Sequence, residues 1–420
     1  MNHFEDHGGE LWCEGVSLAA LAEAVGTPVY VYSTATLTRH YRVYAEAFSG
    51  RRALVAYAVK ANGNLSVLRT LARLGAGADT VSEGEIRRAL AAGVPPERII
   101  FSGMGKTDAE LAFACALPGL QVNVESEPEL ARLSAAARQA GTRPLVVFRV
   151  NPDVQAGGHA KISTGAAHNK FGVAVDETAR LYRAALEGGA VDPVGLALHI
   201  GSQISDLAPF ASAWTRLRQM AEAFRSQGLP VRRLDLGGGL AVPYFNTPDP
   251  PEPAALGRVA EEVFAGFDVE LAVEPGRAIA GNAGVLLSRV VHVNRRGAGP
   301  CFLVLDAGMN DLLRPTLYEA WHDLRPVRPR GGAPVTYDVV GPVCETSDMF
   351  GRDRSLPPLE AGDLVAFMSA GAYGATMSSE YNARPLVPEV LVDGERWAVV
   401  RPRPSYDEML EREPLADWLR

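Results

Sequence analysis

A chain of 420 residues that is 47% hydrophobic and 21% charged is too long for one ordinary domain and too apolar for a disordered one, so two packed domains are expected. Its formal net charge of -8 excludes a surface built for nucleic acid or anionic lipid and leaves small molecules as the expected partners. Cys13, Cys115, Cys301 and Cys344 are scattered with no CxxC pair, the opening MNHFEDHGGELWCEG lacks a basic start and an apolar run, and no later apolar stretch approaches ~18 residues, so the expectation is a cytoplasmic protein without disulfides, zinc site, signal peptide or spanning helix.

In chain order, Pro28-Val-Tyr-Val-Tyr-Ser33 reads as a first strand. From residue 53 short apolar, β-branched runs alternate with amphipathic stretches of helical length, the pattern of βα units on a parallel sheet. The strand candidates are Ala53–Val59, Ala78–Ser82, Arg98–Ser102, Gln121–Glu125, Leu145–Val150, Val194–Ile200, Arg232–Leu236 and Glu270–Glu274, and each but the last precedes a helical stretch. Eight such units match a (β/α)8 TIM-type barrel of ~250 residues better than an open doubly wound sheet. Ser126-Glu-Pro-Glu supplies a cap, an acidic first turn and an early proline to one of the helices.

Beyond residue 283 the helical period fades. Val285–Val293, Cys301–Asp306, Val335–Val340, Asp363–Met368, Leu386–Val392 and Trp397–Val400 are runs separated by Gly, Pro and Asp, as in an antiparallel β domain. The expected division is a barrel over 35–278 and a discontinuous β domain made of 1–34 and 279–420. The Pro- and Gly-rich loops at 247–253 and 327–334 are too short to act as flexible linkers.

The chemistry gathers where the predicted strands end. AYAVKANGN places Lys60 at the carboxyl end of the first barrel strand, where barrels collect active-site groups. A lone lysine there is ordinarily a solvated cap, but an apolar surround lowers its pKa, as imine formation requires. The sixth strand ends in His199-Ile-Gly-Ser202-Gln, the seventh in Asp235-Leu-Gly237-Gly238-Gly239, and the eighth in Glu274-Pro275-Gly276-Arg277. Three glycines alone make a tight turn; in the loops after strands seven and eight they also suit a phosphate, which barrels commonly bind there through backbone N–H groups. Singly, His199 reads equally as a core histidine and Glu274 as a partner of Arg277. Together with a lysine and a phosphate cradle they supply what pyridoxal phosphate needs: a flat partner for the ring and a carboxylate for its pyridine nitrogen.

These segments resemble the fold-type III pyridoxal-phosphate-dependent decarboxylases, and within them most closely the diaminopimelate decarboxylase family. YAVKAN, GADTVSEGE, NVESEPEL, RVNPDV, HAKISTG with NKFGV, HIGSQI, LDLGGGL, EPGRAI with GNAG, DAGMNDLLRPTLY, GPVCET, SAGAYGA and YNARPLVPEVLV look like its signatures in its order. The resemblance implies an alanine-racemase-like barrel with a second, mostly antiparallel β domain, and conversion of meso-2,6-diaminopimelate to L-lysine and CO2. It implies that Lys60 carries pyridoxal 5'-phosphate, that His199 stacks on the ring and Glu274 faces the pyridine nitrogen, and that Ser202, Gly239, Gly276, Arg277 and Tyr373 surround the phosphate. It assigns Arg277, Arg314 and Tyr318 to the distal carboxylate of the substrate, Glu345 to its distal ammonium, and Tyr373 as a further substrate-binding residue. Cys344 becomes the proton donor, supplied with Glu345 by the other subunit of a homodimer that shares its active sites. Where the family reads Ser-Gly-Asp after the Cys-Glu pair, this chain has Thr346-Ser347-Asp348, and a glycine of positive φ at that place would leave Ser347 strained. The competing readings are a related decarboxylase acting on D- or L-lysine, ornithine or arginine, a racemase of the same barrel class, which Glu274 disfavours, and a cofactor-free binding protein, which Lys60 disfavours.

Overall fold

The computed structural model describes residues 2–151, 172–244, 249–297 and 299–419. HAKISTG, most of NKFGV, the end of RVNPDV and part of the 247–253 loop lie outside the described residues. Contacts divide the chain into one unit of Leu37–Pro243 with Pro248–Ile279, and another of Met1–Thr36, Tyr244–Thr247 and Ala280–Arg420.

The first unit is a closed barrel of eight parallel strands: Ala53–Ala58, Gly77–Thr80, Ile99–Phe101, Gln121–Val124, Leu145–Arg149, Asp192–Ala197, Arg233–Asp235 and Glu270–Val273, the last pairing back onto the first. Buried on both faces, these strands carry near-continuous apolar runs, which is why they were readable. Their observed ends fall short of the expected ones, so His199 and Glu274 stand just beyond their strands, in the loops. The helix Glu127–Ala140 starts as expected, with Ser126 Oγ accepting the Glu129 N–H, and stops at Gly141 in the left-handed region at φ 65°.

The barrel interior is partly polar. Arg233 donates to Gln121 Oε1 at 2.8 Å, Gln121 donates to Asn123 Oδ1 at 2.7 Å, and Asn123 donates to Asp235 Oδ2 at 3.3 Å. Buried polar groups persist only when paired, and here the pairing runs from the start of the fourth and seventh strands to the end of the seventh. Behind it Lys106 and Glu129 form a fully buried ion pair at 2.6 Å, and Lys106 also donates to the Asn123 carbonyl at 2.8 Å. Strand spacing is equally exacting. A Cβ at Gly195 would lie 1.9 Å from the Arg233 carbonyl oxygen of the next strand, so the sixth strand tolerates no side chain there.

In the second unit a nine-stranded sheet orders Met349–Leu356, Val335–Val340, Cys301–Leu305, Gly284–Arg295, Val29–Ser33, Glu389–Asp393 and Arg396–Arg401, with Leu364–Phe367 and Leu324–Pro326 off that path. Val29–Ser33 does join the C-terminal strands, antiparallel to Gly284–Arg295 and parallel to Glu389–Asp393. The sheet is therefore mostly antiparallel with two parallel pairings, the other being Cys301–Leu305 with Val335–Val340. Met349–Leu356 escaped the sequence reading because the charges Arg352, Asp353 and Arg354 interrupt its apolar residues, and the small sheet Phe4–Asp6, Leu11–Cys13, Val16–Ser17 escaped because its strands are two or three residues long. Among the described residues no helix is long and apolar enough to cross a membrane, and all four cysteines are free thiols.

Candidate active site

Lys60 sits in the 3-10 turn Val59–Ala61 that ends the first barrel strand, and its Nζ lies 2.8 Å from Asp79 Oδ2 at the end of the second. Asp79 is completely buried while Lys60 is partly exposed. The surround of Lys60 is therefore ionic rather than the apolar one expected. The Ala58 N–H donates to the Pro275 carbonyl at 3.1 Å and stitches the end of the first strand to the loop after the eighth.

That loop brings Glu274 close enough to Asp235, from the seventh strand, and to Asp79 for their charges to act on it. Burial, then the charges of Asp235 and Asp79, hold the Glu274 carboxyl well above the usual carboxylate range. Burial also raises Asp235, opposed by the N–H of Gly237 at 3.0 Å. His199 is driven the other way: burial, then the positive charges of Arg149 and Lys60, hold its pKa well below the ordinary histidine value. Its Nδ1 accepts the Gly238 N–H at 3.2 Å, so the neutral ring carries its proton on Nε2. Beside Lys60, burial pushes the Glu85 carboxyl up to about 7, with the Val81 N–H opposing and Asp79 adding to the rise.

The three glycines have a packing reason of their own. A Cβ would meet the Leu198 carbonyl at 2.5 Å from Gly237, the Glu274 carbonyl at 2.1 Å from Gly238, and the Gly201 carbonyl at 2.4 Å from Gly239. The N–H groups of Gly237 and Gly238 serve Asp235 and His199, at 3.0 and 3.2 Å. Arg277 is buried at the head of Arg277–Ala280 and donates to Ser202 Oγ at 3.3 Å. One end of the barrel thus holds Lys60, His199, Ser202, Gly237 to Gly239 and Glu274 to Arg277. Its donor set fits the expected cofactor: three buried carboxyl groups face one ammonium, a surplus that a cationic ring nitrogen would balance, and an arginine with a hydroxyl suits a phosphate.

The other expected residues lie in the β unit. Arg314 and Tyr318 share the short helix Arg314–Tyr318. Arg314 is buried, its guanidinium 5.3 Å from the centre of the Tyr244 ring and 2.6 Å from His322 Nε2, while His322 Nδ1 donates to the Met368 carbonyl. Cys344 and Glu345 are exposed on the loop joining Val335–Val340 to Met349–Leu356. Ser347 and Tyr381 both donate to the Glu345 carboxylate, Tyr381 at 3.1 Å, and Asp348 anchors the loop by accepting the N–H groups of Met309 and Val343, each at 2.6 Å. Ser347 is not among the residues with positive φ, so no backbone strain follows from the missing glycine. Tyr373 is half-buried and does have positive φ, at 56°. Sequence reasoning assigned no role to Asp79, Glu85, Asn123, Asp235 or His322; the signal available for Asp79 was a carboxylate among the small residues of a wholly buried strand.

The family model for the pyridoxal binding domain of pyridoxal-dependent decarboxylases matches residues 34–281. A diaminopimelate decarboxylase of Vibrio cholerae is 50% identical over 96% of this chain and 95% of its own, and one of Pseudomonas aeruginosa 48% identical over 99% of each. The crystal structure of a diaminopimelate decarboxylase from M. jannaschii in co-complex with L-lysine superposes with a TM-score of 0.95 at 35% identity, covering 100% of both chains.

The lowered pKa of His199 gives a signed expectation. Below about pH 6.5 an unfolded histidine takes up a proton that the folded ring refuses, so its contribution to stability is present above that pH and is lost as pH falls. The melting temperature of the wild type relative to His199→Gln should therefore drop between about pH 8 and pH 5. A difference constant across that range would mean that His199 titrates normally.

Proposed function

The chain belongs to the pyridoxal-dependent decarboxylases, in their diaminopimelate decarboxylase family, and from that premise we propose that it removes CO2 from the D-centre of meso-diaminopimelate and yields L-lysine. The observation that carries the reading is the pairing, at one barrel end, of an amine able to form an imine with a buried carboxyl cluster able to face a cationic ring. Full-length similarity to diaminopimelate decarboxylases, one of them crystallised with L-lysine, supports the substrate.

Lys60 would hold pyridoxal phosphate covalently, His199 would lie against its ring, Glu274 would face the ring nitrogen, and Ser202, Gly239, Gly276, Arg277 and Tyr373 would take the phosphate. Bound there, the cofactor supplies an electron sink for the bond pair that CO2 leaves behind. His199, kept neutral, adds no cation that would compete with the ring for Glu274. Asp79 orients Lys60 before the cofactor arrives. Arg314, with Arg277 and Tyr318, binds the distal carboxylate; His322 and Tyr244 fix the plane of its guanidinium, which favours one carboxylate direction. Glu345, steadied by Ser347 and Tyr381, binds the distal ammonium. The Cys344 thiol gives its proton to the carbon that has lost CO2, and the thiolate is reprotonated from solvent. Cys344 and Glu345 are exposed in the single chain, which supports their delivery to a second subunit in a homodimer with shared sites. Four free thiols support a cytoplasmic setting.

The test of substrate is release of labelled CO2 from meso-diaminopimelate set against D- and L-lysine, ornithine and arginine. Diaminopimelate should be strongly preferred, and Lys60→Ala should abolish the release. Preference for another basic amino acid would replace the substrate while keeping the chemistry; release by Lys60→Ala would remove Lys60 from it.

The shared site is tested by mixing Lys60→Ala with Cys344→Ala protein. Randomly exchanged subunits give hybrid dimers with one intact site each, so activity should return to roughly a quarter of wild type, a binomial estimate for a symmetric dimer. A mixture that has verifiably exchanged subunits and stays as inactive as its parents would place Cys344 within its own chain's site or outside the reaction.

A further inference from the structure

The loop that carries Cys344 and Glu345 is closed at its base by Asp348, whose carboxylate accepts the N–H groups of Met309 and Val343 and whose carbonyl accepts that of Gly341 at 3.1 Å. Ser347 is held differently. Its hydroxyl donates to the Glu345 carboxylate, and its carbonyl accepts the hydroxyl of Thr316 at 2.9 Å. Pinned at the carbonyl, Ser347 keeps its side chain where it reaches Glu345, so the place of Glu345 is set from outside the loop.

Thr316 belongs to the short helix Arg314–Tyr318. Residues four apart share a face of a helix, and two residues on is about 200° around it, so Arg314 and Tyr318 lie on one face and Thr316 on the opposite one. A threonine hydroxyl in a helix usually turns back on the carbonyl three or four residues before it. That of Thr316 donates outward to the loop instead. Met309, just upstream of the helix, adds a second grip, its sulfur 3.7 Å from Ser347 Oγ.

We propose that Thr316 is a positioning residue that holds the Cys344–Glu345 loop in its working place. The helix whose one face reads the substrate of its own chain's site thus uses its other face to set the proton donor of the partner's site. This rests on the reading of Cys344 and Glu345 as residues delivered to a second subunit. Thr316 touches no substrate and acts only through Ser347. Without its hydroxyl the Ser347 carbonyl loses this donor, the Ser347 side chain is released to other rotamers, and Glu345 keeps the Tyr381 hydroxyl at 3.1 Å.

Thr316→Val keeps the shape of the side chain and removes the donor, while Thr316→Ser keeps the donor; Thr316→Ala replaces the valine variant should that not fold. In the homodimer, Thr316→Val should lower kcat/KM for meso-diaminopimelate roughly three- to tenfold, the loss of one hydrogen bond, and Thr316→Ser should stay near wild type. Hybrid dimers locate the effect. In the mixture of Lys60→Ala with Cys344→Ala, the intact site takes its loop from the Lys60→Ala chain and its Arg314 helix from the Cys344→Ala chain. Thr316→Val added to the Lys60→Ala chain should cut the recovered activity by the same factor, and added to the Cys344→Ala chain it should leave that activity in place. Loss that follows the Cys344→Ala chain would mean that Thr316 acts on Arg314 in its own site. Equal loss from both chains would mean a general weakening of the fold, and no loss from either that the bond positions nothing. Each of these overturns the proposal. Hydrogen exchange of the amides from Val343 to Ser347 supplies a reading apart from activity: it should be faster in Thr316→Val than in wild type and Thr316→Ser, and unchanged exchange overturns the proposal as well. The shared-site reading fails separately. If the parent variants regain nothing on mixing, that reading falls and takes the partner's site with it, while exchange still decides whether Thr316 holds the loop. If they regain activity and Thr316→Val is silent, only the proposal falls.

Discussion

The constraint on which the site depends is charge balance at the carboxyl end of the barrel. Asp79, Asp235 and Glu274 reach one buried region from the second, seventh and eighth strands, with the ammonium of Lys60 as the cation paired there with Asp79. Withdrawing a carboxylate from water costs several kcal/mol even after a protein relaxes, against about 1.5–3 kcal/mol returned by a hydrogen bond to a charged group. The fold meets that cost with donors built into it: the Gly237 N–H, the Asn123 amide and the line of partners behind Asn123. What remains unbalanced is the place for a cationic ring.

Close backbone packing makes this arrangement rigid. Gly195 lets the sixth strand touch the seventh, and Gly237 and Gly238 let the loops after the sixth, seventh and eighth strands touch one another, carbonyl against α-carbon. With no side chains between them, the N–H groups of the glycine loop reach Asp235 and His199 and hold both in place. GGG is thus first a device for orienting an acid and a histidine.

The eight barrel strands were legible because a strand buried on both faces has little choice but to be apolar, and Lys60, His199, Glu274 and Arg277 were legible because strand ends mark a barrel's active face. Asp79 and Asp235 were quoted within motifs yet given no part, since nothing in one strand's sequence says which residue of another strand it will meet. The ionic surround of Lys60 was missed for the same reason. In the β unit, Met349–Leu356 was hidden by its exposed charges. Ser347, expected to strain its loop if it replaced a glycine, instead takes an ordinary backbone conformation and ties down Glu345 with its hydroxyl, a contact no reading of the backbone alone would foresee.

The central claim, that surplus buried acid holds a cationic ring, is tested most directly by nitrogen NMR of the protein reconstituted with pyridoxal phosphate labelled at the ring nitrogen. The account predicts a protonated ring nitrogen throughout the neutral pH range in the wild type and a neutral one in Glu274→Gln. A neutral ring nitrogen in the wild type would contradict it.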